Sequence, residues 1–420
     1  MARGLNMNIF STYHHSFAGG SKNTSRLLNY ISQSGFAVDA YFFEMPQYFE
    51  YTQTKIRQHN FDLHNVNSEV IDFSLLNNYS ATDKILQALA AVEDPILFGA
   101  NLFPYCNILH DVKTQLMNLE NKDFKLIIHP VGSDIWQIGT KMNSRVKWLL
   151  DSPLVNSIIT YSPGFVSEIK EYFNIKSDIN VLPPVLEKEK FFPIDEKQKA
   201  KRRESLGLKD DDFIIHHHSS MRKIKCPEIV LTIAIKAAQL INERCILIMV
   251  GPIPYSEITS LNLNLVKLSD NNMFIYMTTK ANLTIYWTGI LSEVEFLMQI
   301  SDVELNASIH DSFNISLMEA MACGVPVVTS DIVGISPHVK KADSGICFPT
   351  KKLKFDELNE ILASADSTGH LFDIDYAVAA IISFAKDRVG AKLKGKAGAA
   401  YVVDEFCIER ITNQFYKLIS

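Results

Sequence analysis

The sequence predicts an α/β protein built as two domains, and three observations carry that class. Apolar, β-rich runs alternate with helical patterns along most of the chain, the order that folds into parallel sheets with crossover helices. At 420 residues the chain exceeds what one core ordinarily fills, so two domains of about 200 residues each are expected. Between them, Pro183-Pro184 and a charged segment stop the first series of strands. The expected divisions are 1–188, 189–398 and a terminal helix over 399–420.

The totals narrow the class. Hydrophobic residues make up 47% and charged residues 21%, the balance of a globular chain. A net charge of −6 argues against non-specific nucleic-acid binding, which needs a basic face. The six cysteines contain no C-x-x-C pair, so reduced thiols and a cytoplasmic setting are expected. Neither a signal peptide nor a membrane-spanning run is present in the sequence, which leaves peripheral contact at the inner face of a membrane as the form any membrane association would take.

In the first domain, Asn8 to Tyr13 reads as a strand, and Gly19-Gly20 precede a helix carrying Leu27, Leu28 and Ile31. Val38 to Phe43 is the second strand, completing a βαβ unit whose glycines let backbone approach a ligand. Further units follow at Pro95 to Gly99, Val112 to Leu119, Phe124 to His129, Val155 to Tyr161 and Ile179 to Leu182. His129 and Asp134 flank a Gly-Ser turn at a strand's carboxyl edge, where open parallel sheets bind ligands. The basic run Lys197 to Arg203 reads as a solvated helix face.

The second domain opens with a strand from Asp212 to His216, and the polar loop after it carries Arg222 and Lys225 just before a helix with Val230, Ile233, Ala234 and Ala237 on one face. Two cations there form a phosphate clamp, with arginine bidentate and lysine as a point charge. His216, His217 and His218 look like metal ligands, but consecutive strand residues point to opposite faces and cannot converge on one ion. Cys245 to Val250 and Ile285 to Thr288 are strands, Ser292 to Ile300 a helix, and Asp302 to Asn306 leads to the most informative stretch.

That stretch is Asp311 to Gly334. Ser312 and Asn314 are helix N-cap candidates, Ile315, Leu317, Met318, Met321 and Ala322 suit a buried helix, and Gly324 with Pro326 ends it before the β run Val325 to Val328. The first N–H groups of such a helix lack intrahelical partners and carry the positive end of its dipole, so its entrance is an anion site. Glu319, inside the helix, can accept two hydroxyl donors of a cis-diol, and Asp311 can accept from another hydroxylated group beside the anion. A phosphate flanked by two hydroxyl-bearing rings describes a nucleotide sugar.

The stretch resembles the E-x7-E segment of retaining glycosyltransferase family 4, usually E-G-F-G-x-x-x-x-E-A-M-A-x-G-x-P-V. Phe313, Glu319, Ala320, Met321, Ala322, Gly324, Pro326 and Val327 match, while Asp311 replaces the first glutamate and Ser312 and Asn314 replace two glycines. The Arg222 loop is similar to that family's S-N-F-R-x-x-K segment, and Gly19-Gly20 to its glycine pair. The resemblance implies the GT-B architecture, two Rossmann-like domains facing across a cleft with a C-terminal helix crossing back to the first. It further implies metal-independent, retaining transfer of a sugar from a nucleotide-diphosphate donor, UDP-linked for preference, to a glycan, lipid-linked or small-molecule acceptor, with no cofactor. On its terms Arg222, Lys225, Asp311, Glu319 and His129 are catalytic; Gly19, Gly20, Gly289, Ile290, Leu291, Phe313, Asn314, Ile315 and Ser316 bind the donor. His338 stands where the family carries an acid.

Three rivals are weighed beside it. Asp373-Ile-Asp375 has the D-x-D spacing of metal-dependent transferases, an epimerase could use the same two-domain plan, and a non-catalytic nucleotide-sugar-binding subunit would share the donor site.

Overall fold

The computed structural model describes residues 6–12, 26–27, 31, 37–44, 66–72, 96–100, 105–120, 125–132, 135, 140–252, 264–268, 274–277, 282–291, 293–364 and 367–419. Two compact units result, one formed by Met1–Val185 with Ile408–Ser420, the other by Leu186–Cys407.

Among the described residues the first unit holds a seven-stranded parallel sheet. Its strands are β1 (Asn6–Thr12), β2 (Ala37–Glu44), β3 (Val66–Asp72), β4 (Ile96–Ala100), β5 (Lys125–His129), β6 (Ser157–Thr160) and β7 (Ile179–Val181), in the order β3-β2-β1-β4-β5-β6-β7. Helices Tyr105–Glu120, Thr140–Leu150 and Pro163–Phe173 alternate with the later strands. The last of these opens as a helix should, with Ser162 accepting from the Phe165 amide and proline at its first position. Strand β3 was not anticipated: VNSEVID mixes polar residues into a short edge strand and gives little apolar periodicity.

Among the described residues the second unit carries an eight-stranded sheet. Strands β8 (Phe213–His218), β9 (Cys245–Val250), β10 (Asn264–Leu268), β11 (Phe274–Met277), β12 (Leu283–Trp287), β13 (Val303–Asn306), β14 (Val327–Ser330) and β15 (Gly345–Phe348) lie in the order β10-β11-β12-β9-β8-β13-β14-β15. Strand β9, CILIMV, is buried along its whole length, as a parallel strand covered on both faces must be. Strands β10 and β11 pair antiparallel at one edge, an addition the sequence reading missed.

Two further expectations are corrected. The run Lys197 to Arg203 is not a merely solvated face. Helix Glu196–Ser205 buries Arg203, whose guanidinium bonds the Ile300 carbonyl and Asp302 at 2.9 Å, and Lys199 meets the same carboxylate at 3.1 Å. Arg388 and the Ile214 amide complete that shell, so although burial opposes its charge, Asp302 is held below the usual carboxylate range by Lys199, Arg203 and Arg388. The single helix expected over 399–420 is two. Helix Arg388–Glu405 ends at Phe406, and helix Ile408–Ile419 belongs to the first unit, burying Ile411 and Phe415 there. The segment before Ala399, whose glycines disfavour a helix by themselves, was given none in the sequence reading. Gly395 is instead a point of close approach: a Cβ there would lie 1.9 Å from the Gly324 carbonyl oxygen.

No helix among the described residues is long and apolar enough to cross a membrane.

Candidate functional site

The second sheet reverses direction beside its first strand. From β8 the chain moves to β9 on one side, and later returns to lay β13 on the other. Ligands of open α/β sheets bind outside the carboxyl ends of the strands at such a reversal. The loops leaving β8 and β13 are therefore where chemistry is expected, and they carry the cationic segment and the acidic stretch.

The β8 loop ends in a short 3-10 turn, Lys223–Lys225, and the backbone sorts its three cations by role. Lys223 donates to the Ile361 carbonyl at 2.6 Å and to the Ser364 carbonyl, so it closes the end of helix Phe355–Ala363. Arg222 is exposed and makes a 3.2 Å bond to Ser220. Lys225 is ion-paired to Asp311. What brings that pair together is a backbone bond, Ile309 N–H to the Ile224 carbonyl at 3.1 Å, which lays the two loops side by side.

Asp311 has a second function. Its Oδ1 accepts from the Phe313 amide at 3.3 Å, and its own carbonyl accepts from the Gly334 amide at 2.9 Å, fixing the turn into helix Ile315–Ala322. Asn314 caps that helix with φ 78° and ψ 81°, and its Oδ1 accepts from the Leu317 amide and the Ser316 hydroxyl. Phe313 is buried and meets the Phe406 ring edge-on at 5.4 Å. Glu319 is buried inside the helix. His338, placed where an acid was expected, bonds the Tyr401 hydroxyl at 2.8 Å and packs on Phe406 at 5.0 Å, an aromatic support behind Phe313.

Gly289, Ile290 and Leu291 follow β12. The Gly251 amide donates to the Gly289 carbonyl at 2.9 Å, and a Cβ on Gly251 would come within 2.1 Å of the Ser219 carbonyl oxygen. That close approach ties the 289–291 segment to the start of the Arg222 loop, with Ile290 half exposed beside it. Arg222, Lys225, Asp311, Asn314, Ile315, Ser316 and Gly289 to Leu291 thus gather at one end of one sheet.

Gly19, Gly20 and Asp134 lie outside the described residues. His129 ends β5, is buried, and bonds the Ile159 carbonyl through Nδ1 at 2.9 Å while meeting the Tyr161 ring at 4.7 Å. Burial lowers its pKa to about 4, so the imidazole is neutral at pH 7.

The sequence reading passed over a buried group beneath the site. Residues opposite one another in parallel strands share a face, and the β8–β13 register sets His216 against Glu304. The imidazole Nδ1 bonds Glu304, whose other oxygen accepts from the His218 amide at 3.2 Å. Burial, with a contribution from Glu319, raises the Glu304 pKa although His216 opposes it. His217 faces elsewhere, bonding the Leu305 carbonyl at 2.8 Å and Ser219 at 2.9 Å; burial pushes its pKa down to about 4. The signal that could have found the first pair is a histidine and a glutamate in two adjacent buried strands. The D-x-D residues are likewise occupied: Asp373 caps helix Ile374–Lys386 and Asp375 meets Lys236 at 3.1 Å. The buried thiols of Cys226 and Cys245 are pushed by burial to about 12, far from nucleophilic.

Comparison with known proteins finds similarity in sequence and in fold. Residues 198–367 match the family model described as "Glycosyl transferases group 1", which makes that part of the chain a domain of this type. The chain is 24% identical over 294 residues to the N-acetyl-alpha-D-glucosaminyl L-malate synthase of Bacillus anthracis, covering 69% of this chain and 66% of that protein. It is 25% identical over 193 residues to the D-inositol 3-phosphate glycosyltransferase of Paenarthrobacter aurescens, covering 45% of this chain and 44% of the relative. The aligned region thus spans just under two thirds of the first relative and under half of the second. Among solved structures, Anabaena Alr3699/HepE in complex with UDP and glucose superposes with a TM-score of 0.67 at 16% identity, covering 98% of both chains. Sucrose-phosphate synthase from Thermosynechococcus elongatus gives 0.70 at 16% identity, over 99% of this chain and 98% of that one. The fold is GT-B: two parallel-sheet α/β domains that match those solved structures.

Proposed function

We propose that this protein is a retaining, metal-independent glycosyltransferase that moves a sugar from a nucleotide-diphosphate donor, UDP-linked for preference, to the hydroxyl of a glycan, lipid-linked or small-molecule acceptor. The observation that carries the reading is the union, at one sheet reversal, of Arg222, Lys225 and the amino end of helix Ile315–Ala322. Departure of a nucleoside diphosphate builds negative charge on the leaving phosphate, and preorganised donors aimed at that charge are where catalysis gains most. Arg222 and the amides of Ile315 and Ser316 supply donors. Lys225 exchanges Asp311 for the phosphate, which leaves the Asp311 carboxylate to accept from the transferred sugar. Glu319 accepts from the ribose diol, and Gly289 to Leu291 lie against the base. No side chain is needed as base, because the departing phosphate takes the acceptor's proton on the face it leaves.

The names of the relatives support this reading. One relative is an N-acetyl-alpha-D-glucosaminyl L-malate synthase, another a D-inositol 3-phosphate glycosyltransferase, and the Anabaena protein is seen in complex with UDP and glucose and with UDP-glucose. We further read the protein as cytoplasmic, with membrane contact no more than peripheral.

The test is turnover of radiolabelled UDP-glucose and UDP-N-acetylglucosamine with malate and inositol phosphate as acceptors, in EDTA, with the product anomer read by NMR. The reading expects an α-linked product and its loss in Arg222→Ala and Glu319→Ala. An inverted anomer, dependence on divalent metal, or unchanged rates in both variants would overturn it.

A further inference from the structure

Asn314 holds a backbone conformation that glycine adopts freely and asparagine only at a cost, with φ 78°. Residues kept in such a region mark positions where another interaction compensates. The capping bonds account for one end of the side chain: Oδ1 accepts from Ser316 at 2.8 Å and Leu317 at 3.4 Å. The other end is unaccounted for. Nδ2 is buried, with no hydrogen-bond partner among the described residues, and the residue as a whole is 5% exposed. An amide donor left so is costly, on the order of a kcal/mol or more, unless something accepts from it. Because Oδ1 is held over the first turn of helix Ile315–Ala322, Nδ2 lies beside the first N–H groups of that helix.

We infer that Asn314 is a specificity-determining residue whose side-chain amide donates to an oxygen of the β-phosphate of a nucleoside diphosphate, adding a donor that a glycine at this position cannot offer. The inference rests on the donor site proposed above. Asp311, which pairs Lys225 and accepts from the Phe313 amide, fixes the turn that leads into Asn314. Transfer of Lys225 to the phosphate releases that turn and uncovers Nδ2. The result is a site that distinguishes diphosphates from monophosphates by one side chain.

The experiment is calorimetric titration of UDP and UMP into the full-length protein and into Asn314→Gly, Asn314→Asp and Arg222→Ala. Glycine relieves the positive φ and caps almost as well as asparagine, so Asn314→Gly folds. It is expected to weaken UDP about tenfold, the scale of one hydrogen bond to a charged group, and to leave UMP within twofold. Asn314→Asp keeps the capping oxygen and puts a carboxylate where the amide was, so its loss for UDP is larger, on the order of a hundredfold. Unchanged UDP affinity in Asn314→Gly with a raised melting temperature, or an equal loss for UMP, would overturn the inference. If Arg222→Ala weakens UDP while Asn314→Gly does not, only this inference falls. Failure of UDP to bind the wild-type protein removes the donor site itself.

Discussion

The two units handle the same structural device differently. Each carries a buried histidine in the last two residues of a central strand, His129 in the first and His217 in the second, with Nδ1 tied to a carbonyl of the neighbouring strand. Burial holds both near a pKa of 4. Among the described residues, an exposed arginine, an ion-paired lysine and a helix amino end stand in the adjoining loops of the second unit. A strand-end histidine is thus a scaffold element by itself. The place where charge converges at a sheet reversal is the informative one.

The largest effect that sharpens this contrast is loss of the cations. Arg222→Ala should lower turnover by roughly 100- to 1000-fold, the range seen when one preorganised donor to a developing anion is lost, with the circular dichroism spectrum unchanged. A loss under tenfold would break the contrast. Next in size is the support of the second sheet. Asp302→Ala leaves Lys199, Arg203 and Arg388 around a vanished carboxylate, so it should cost about 3–5 kcal/mol, measured by urea unfolding of the second unit's transition.

The two histidines supply a prediction in which the units behave alike. An unfolded chain binds protons at these side chains from about pH 6.5 downward, whereas the folded one does so near pH 4. Stability is therefore lost on acidification from pH 6.5 to 4, by roughly 3 kcal/mol per histidine at full effect. Melting curves across that window should fall in both units; a flat profile between pH 6.5 and 4 would contradict the burial of both rings. The smallest effect separates neighbours in one loop. Lys223→Met loses the closure of helix Phe355–Ala363 and should cost about 1 kcal/mol while leaving UDP affinity within twofold, in contrast to Arg222→Ala.

Much of this was legible in the sequence because long apolar runs and glycine or proline stops report parallel strands directly. Strand β9 begins and ends where the residues alone put it. The helix after Asn314 was readable from its cap and buried face. What escaped has physical reasons. Edge strands such as β3, β10 and β11 lack the continuous apolar pattern of buried ones. The tie of Arg203 and Lys199 to Asp302 joins residues about a hundred positions apart, and spacing along the chain does not report it. The His216–Glu304 pair depends on register between β8 and β13, which only the folded sheet sets. The pairing of Lys225 with Asp311, both singled out as ligand-binding, is of the same kind.

The central claim is that a pyrophosphate occupies the reversal of the second sheet. Crystals soaked with UDP test it most directly. The account predicts density for two phosphates against Arg222, Lys225 and the amides of Ile315 and Ser316, with the ribose at Glu319. Phosphates seated away from those residues, while they remain as ordered as before, would contradict it.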